Sequence, residues 1–281
     1  MSVAVKKSRK YFKRAIRIVI LSVILFVILV PLWWAITLSF NADAVTSIPA
    51  FTWWPPEISW KSFEYAFRSI NLPQLYINTL FVAITNTLIS VFFAMCCGYA
   101  FSKGRFAGKK FWYFFMLAVM IIPFESRMIP LYLQYSGWGM IDTYWPLILG
   151  NIAYVFGMVF ATSNIRSLPD AIRESASIDG AGEWRIFLQL ILPLSKPVIA
   201  ALCILQMVTQ WNSYLWPMVV IRSKSKQLLS VGIALFNAAE NSVYLGPRMV
   251  VSVLGAIPLI IVYLILQKHI VASIAMTGIK Q

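Results

Sequence analysis

The side chains that could do chemistry are few, and their spacing suits hydrogen bonding and docking better than bond making. The single histidine, His269, lies at the end of an apolar run, where a helix-end cap fits it better than a general base. Cys96, Cys97 and Cys203 fall inside apolar runs with neither metal-ligand nor disulfide spacing, so they read as small hydrophobes. Glu125 and Arg127 stand two residues apart beside an apolar run, which suits an interface or a gate. No catalytic residue and no metal site is expected. Two groups remain. Asn78, Asn86, Gln206, Gln210 and Asn212, with the rings of Trp211 and Tyr214, offer uncharged hydrogen bonds and stacking faces, which match a sugar or polyol. The same amides could equally link helices, and the spacing leaves both roles open. The second group is Asp170, Glu174, Asp179 and Glu183 around Gly180, with Pro193 further on.

The elements that hold these groups are membrane-length. The chain has 281 residues, 60% hydrophobic and 12% charged, against about 25% charged in soluble domains. Uncharged runs cover residues 18–40, 69–102, 143–165, 197–221 and 249–267. A helix rises ~1.5 Å per residue, so roughly 20 residues cross a hydrocarbon layer of ~30 Å. A sixth, shorter run at 111–124 extends to a span if Lys109 and Lys110 snorkel and the Glu125–Arg127 region reaches the other interface. Spans are expected at about 18–40, 74–101, 109–128, 142–164, 197–217 and 249–267. The expected organisation is a basic N-terminal tail (1–17), a first span (18–40), an external segment (41–73), a five-helix core (74–268) and a C-terminal tail (269–281). Ser59 to Phe67 suits a short interfacial helix, and residues 132–140 a tight external connection.

Charge sets the expected orientation. Six spans place 17 of the 24 Lys and Arg on the side holding both termini and the 166–196 loop, which makes that side cytoplasmic. Arg222, Lys224 and Lys226 run against the trend. The net charge of +14 does not point to nucleic acid, because seven basic residues abut the first span, where anionic lipid headgroups attract them. The start also has the form of a signal peptide, but its apolar run is too long, so an uncleaved anchor is expected.

Between the fourth and fifth spans lies the polar stretch at 165–196. Pro169 suits a first helical turn, with Asp170 and Glu174 toward the positive end of the helix. Ala171, Ile172, Ala176 and Ile178 supply an apolar side. Gly180 permits a sharp turn. A second helix starts near Glu183, with an apolar stripe of Trp184, Phe187, Leu188 and Ile191, and Pro193 is expected to end it. The result is a helix–turn–helix knob fit for a groove on another protein, though an amphipathic interfacial loop has the same pattern.

Glu174, Ala176, Gly180, Leu192 and Pro193 follow the spacing of the EAA loop of bacterial ABC importer permeases, with Ser175 in place of the middle Ala and Leu190 in place of Ile. The Asp179-Gly180-Ala181 and Trp184-Arg185-Ile186-Phe187 stretches resemble the carbohydrate branch more narrowly, Trp211-Asn212-Ser213-Tyr214-Leu215-Trp216-Pro217 resembles the family's Trp-Asn…Trp-Pro signature, and the likeness is greatest to the maltose-permease type. The resemblance covers roughly residues 15–281. It implies an all-α, six-helix type I permease fold in a bacterial inner membrane, with both termini cytoplasmic. It implies that Glu174, Ser175, Ala176, Asp179, Gly180, Ala181 and Pro193 form the coupling segment, and that Gly278 and Lys280, a partial match to the family's tail, contact the motor. The implied partners are a homologous permease subunit, two cytoplasmic nucleotide-binding ATPase subunits, an external solute-binding protein and a carbohydrate or polyol. This chain has no Walker motif; ATP and Mg belong to the partner ATPase, and no cofactor is expected here. A secondary transporter would show charged residues within spans and repeated halves, and neither is clear. A membrane enzyme lacks convergent acids and bases, and a scaffold lacks a soluble module.

Overall fold

A computed structural model describes the backbone of residues 2–47, 49–238 and 244–278, and side-chain surroundings within 12–265 of that range. Along the chain run α1 (Ser2–Ser39), α2 (Lys61–Ser69), α3 (Leu72–Lys103), α4 (Lys109–Ile121), α5 (Phe124–Gly137), α6 (Trp145–Leu149), α7 (Val155–Arg166) and α8 (Asp170–Ile178). Then follow α9 (Glu183–Ile186), a π-helical turn (Phe187–Ile191), α10 (Leu192–Leu194), α11 (Lys196–Trp211), α12 (Leu215–Val220), α13 (Leu229–Ala238) and α14 (Leu245–Gly278). Among the described residues, three stretches are long and apolar enough to cross a membrane unbroken, Phe12–Ser39, Leu72–Lys103 and Leu245–Ile265; two more are bent pairs, α4 with α5 and the Glu183–Leu194 segment with α11.

The described residues form two compact units, one of Met1–Asn71 and Ile233–Ala256, the other of Leu72–Gly232 and the chain from Ile257. In the first unit, the apolar side chains of α1 from Ile18 to Leu29 are exposed, as suits contact with lipid tails. Trp33 and Trp34 sit against Trp54 and Phe51, and Trp33 Nε1 donates to the Trp53 carbonyl at 2.8 Å. The expected interfacial helix is α2.

The second unit is built on α3, which packs along α7 and α11. Gly98 lets α3 and α7 approach closely: a Cβ there would stand 2.5 Å from Ala161 Cβ and 3.0 Å from the Thr162 backbone nitrogen. Such small-residue contacts replace the missing hydrophobic drive between helices in lipid. Val91, Met95, Ala161, Ile165, Phe187 and Leu202 fill the core at this level. Toward the N-terminal end of α3, Val82, Tyr135, Leu147, Trp216, Val220 and Leu228 form a second cluster.

Three expected boundaries are corrected. The third span does not reach Met128: α4 stops at Ile121, Ile122 is extended with ψ 115° before Pro123, and α5 leaves at 98°. A residue before proline is biased away from the helical region, and Ile122 takes the extended conformation at this turn. In consequence residues 132–137 are the end of α5 and not an external turn. The fourth span is two helical pieces, α6 and α7, parted by non-helical residues 150–154. Pro193 does not end its helix: the chain runs through it in α10 and breaks by 79° at Ser195. Bonds in the π turn ahead of it run i→i+5, so the missing proline N–H interrupts the ladder less than it would in a regular helix.

Candidate functional site

At the C-terminal end of α3, residues 170–186 form an elbow. Helix α8 closes with two bonds, Ala181 N to Ala176 O at 2.9 Å and Gly180 N to Ser177 O at 3.1 Å. This is the Schellman arrangement, and it places Gly180 at the left-handed position, φ +81°, which side chains with a Cβ resist. Ala176 and Ala181 turn inward and pack on the core cluster. The second limb is anchored by Ile186, Phe187 and Ile191, all buried.

Side-chain bonds tie both limbs to α3. Lys103 Nζ donates to the Leu168 carbonyl at 2.8 Å and to Asp170 Oδ1 at 2.6 Å. Arg173 pairs with Glu183, and the Tyr99 hydroxyl donates to Glu183 Oε2 at 2.5 Å. The Arg173 guanidinium, then Tyr99, hold the Glu183 carboxyl below its ordinary range. The bond from Lys103 does the same for Asp170. What remains on the outside is Glu174, Ser175, Asp179 and Gly180, flanked by Ile178 at 85% exposure and Trp184 at 65%. The sequence placed Ile178 on the apolar side of the first helix and Trp184 in the apolar stripe of the second; both face outward in the structure. An apolar pair rimmed by carboxylates is a docking surface in form. Pro193 is exposed and stands apart from the turn. Gly278 ends α14, without described surroundings, and Lys280 and the His269 side chain lie outside the described residues.

The amide group divides in two. Asn78 and Asn86 are buried at 3% and 0% exposure and link helices. Asn78 Nδ2 donates to the carbonyls of Ser225 and Gln227 at 2.8 and 2.9 Å. Asn86 Nδ2 donates to the Ile148 carbonyl at 2.7 Å, and its Oδ1 accepts from Gln206 Nε2 at 2.9 Å. Of the two roles the sequence left open, the structure places both in the linking one. Trp211 is buried and packs beside Tyr76. Gln210, Asn212 and Tyr214 line a cavity of about 550 Å³, together with Glu125, Arg127, Asn151, Tyr154 and Gln206, the last also bonded to Asn86.

Sequence reasoning missed the clamp at the other end of α3. Asp142, at φ 61°, accepts from the backbone nitrogens of Arg222 and Ser223 at 3.0 and 2.9 Å and from the Ser223 hydroxyl. Lys226 Nζ donates to the Asp142 carbonyl at 2.6 Å, and Arg222 to the Tyr132 hydroxyl at 2.6 Å. Two of the three basic residues that ran against the charge trend, Arg222 and Lys226, thus have local partners. No local pattern in the sequence marks Asp142 for this, since its partners lie some 80 residues on. Asn78, near this clamp, and Tyr99, at the elbow, are 21 residues apart on α3, which is about 31 Å along a helix.

A profile of the family described as "Binding-protein-dependent transport system inner membrane component" matches residues 87–276. The chain is similar to the diacetylchitobiose uptake system permease protein NgcG of Streptomyces coelicolor, 29% identical over 89% of this chain and 83% of that one. It is similar to the arabinooligosaccharides transport system permease protein AraQ of Halalkalibacterium halodurans, at 30% over 80% and 81%. It is also similar to the melibiose/raffinose/stachyose import permease protein MelC of Bacillus subtilis, at 30% over 80% and 83%. Its fold matches a chain of a bacterial ABC transporter for alginate import with a TM-score of 0.80, at 23% identity, covering 94% of this chain and 98% of that one.

Proposed function

The chain belongs to the binding-protein-dependent transport system inner membrane components, and from that premise we propose that it is one permease subunit of an ATP-driven sugar importer, coupled to a separate ATPase through the 170–186 elbow. The observation that carries this reading is the elbow itself: an exposed Glu174–Ile178–Asp179–Trp184 surface braced to the end of α3 by Lys103, Tyr99 and Arg173. A surface free on one side and fixed on the other transmits a push. Asn86, bonded to Gln206 on α11, lies 13 residues before Tyr99, about 20 Å along the same helix. Movement of the elbow therefore reaches the level of the cavity through rigid structure.

In this mechanism two nucleotide-binding subunits hold ATP and Mg and receive the elbows of this chain and of a homologous permease. Glu174 and Asp179 face basic groups of the ATPase, and Ile178 and Trp184 fill its groove. An external solute-binding protein delivers the substrate on the other side. Nucleotide shifts the inward- and outward-open states only by binding them unequally, and the elbow is where that difference passes into the membrane. Both termini then lie in the cytoplasm. A carbohydrate substrate is supported by the similar permeases named above and by the uncharged amides and aromatic rings of the cavity.

The test is purification of the tagged chain from its own membranes. A nucleotide-binding subunit and a second permease should copurify, and ATP hydrolysis by that complex should rise with sugar-loaded binding protein. Uptake driven by an ion gradient in vesicles without ATP would overturn the reading.

A further inference from the structure

Glu125 and Arg127 both line the cavity bordered by α5, α11 and α12. Neither takes part in any of the ion pairs among the described residues. Two positions apart on a helix, they do not face each other. Arg127 lies over the Phe124 ring, 5.7 Å from its centre, and its Nε is buried with no hydrogen-bond partner. Glu125 stands exposed in the same cavity wall. A buried guanidinium N–H without a partner is costly, and it marks a place where a ligand completes the bonding.

We propose that this cavity is a saccharide subsite in which Glu125 and Arg127 are substrate-contacting residues that read hydroxyls of an uncharged sugar. The inference rests on the importer reading above. A sugar hydroxyl both donates and accepts, so one neutral ligand serves the carboxylate as donor and the guanidinium as acceptor. An acidic sugar would satisfy Arg127 and be repelled by Glu125, and a cationic one the reverse. The rest of the polar lining, Gln210 and Asn212 among it, is uncharged, so the site as a whole favours neutrality. Tyr154 and Tyr214 add ring faces. The volume of about 550 Å³ lies in the usual range for small-molecule sites.

The experiment uses the full complex in proteoliposomes, with labelled lactose, raffinose, arabinotriose and digalacturonate as probes. The wild type should take up at least one neutral sugar and exclude digalacturonate. Arg127→Gln and Glu125→Gln, in complexes that elute fully assembled, should each raise the KM for that sugar roughly 10- to 100-fold, the scale of a lost charged hydrogen bond. Arg127→Lys, which keeps the charge but not the fork, should also raise it and guards against misassembly of the glutamine variant. Wild-type KM in all three variants, or digalacturonate uptake matching that of the neutral sugars, overturns the subsite and leaves the importer reading standing. No uptake of any probe, with no nucleotide-binding subunit in the purified complex, overturns the importer reading itself.

Discussion

Replacing Gly180 tests the coupling elbow by backbone conformation alone. Its φ is +81°, and nothing stands within 4 Å of where a Cβ would lie. Alanine therefore meets no clash, and its effect is the cost of a left-handed residue, about 1–2 kcal/mol. That is a factor of roughly 5–30 in the population of the folded turn. Asparagine, which tolerates this region better, should sit between glycine and alanine. Proline cannot reach a positive φ, and it also loses the Gly180 N–H bond to Ser177 at 3.1 Å, a combined cost of about 3 kcal/mol or more. The assay is ATP hydrolysis by the reconstituted complex, with and without sugar-loaded binding protein. Stimulation should decline in the order Gly, Asn, Ala, Pro, while the proline variant still inserts in the membrane, because the core beneath the elbow is untouched. Wild-type stimulation in the proline variant would refute the elbow as the coupling element. An equal loss in the asparagine and proline variants would refute the argument from φ.

Asn86→Ala leaves the Ile148 carbonyl and the Gln206 amide without their buried partner; the assembled complex should lose about 1–3 kcal/mol of stability, read as a lower Tm in detergent, and an unchanged Tm would count against the linking role. Glu183→Gln removes the charge shared by Arg173 and Tyr99. The folded protein holds the Glu183 carboxyl below its ordinary value of 4.5, so its stabilisation is full above that pH and fades as pH falls through the lowered value. The wild-type and Glu183→Gln melting curves should therefore stay apart from pH 6 to 8 and converge in acid, and a gap that widens in acid would refute the assignment.

What the sequence made legible, and what it hid, follows from how far each signal reaches along the chain. Gly180 was readable because a Schellman turn is local: its bonds join Ala181 to Ala176 and Gly180 to Ser177. The amide group, Asn78 and Asn86 with Gln206, Gln210 and Asn212, was readable as uncharged hydrogen-bonding side chains set in apolar runs. Its division was not. Asn78 finds its partners at 225 and 227, and Asn86 at 148 and 206, so only the packing of distant segments decides which amide is consumed inside and which is left for a cavity. Hydropathy erred for a related reason. It counts apolar residues without asking whether the chain turns among them, so it carried the third span past Pro123, where the pre-proline constraint ends the helix. It also set Trp184 in one apolar stripe with Phe187 and Ile191, of which only the latter two are buried. An apolar side chain meant for a partner's groove and one meant for the chain's own core look alike in sequence, and only the bracing of the elbow by Lys103, Arg173 and Tyr99 tells them apart. For that reason Ile178 and Trp184, exposed on the two limbs, bear most directly on what the elbow engages under the proposed coupling role.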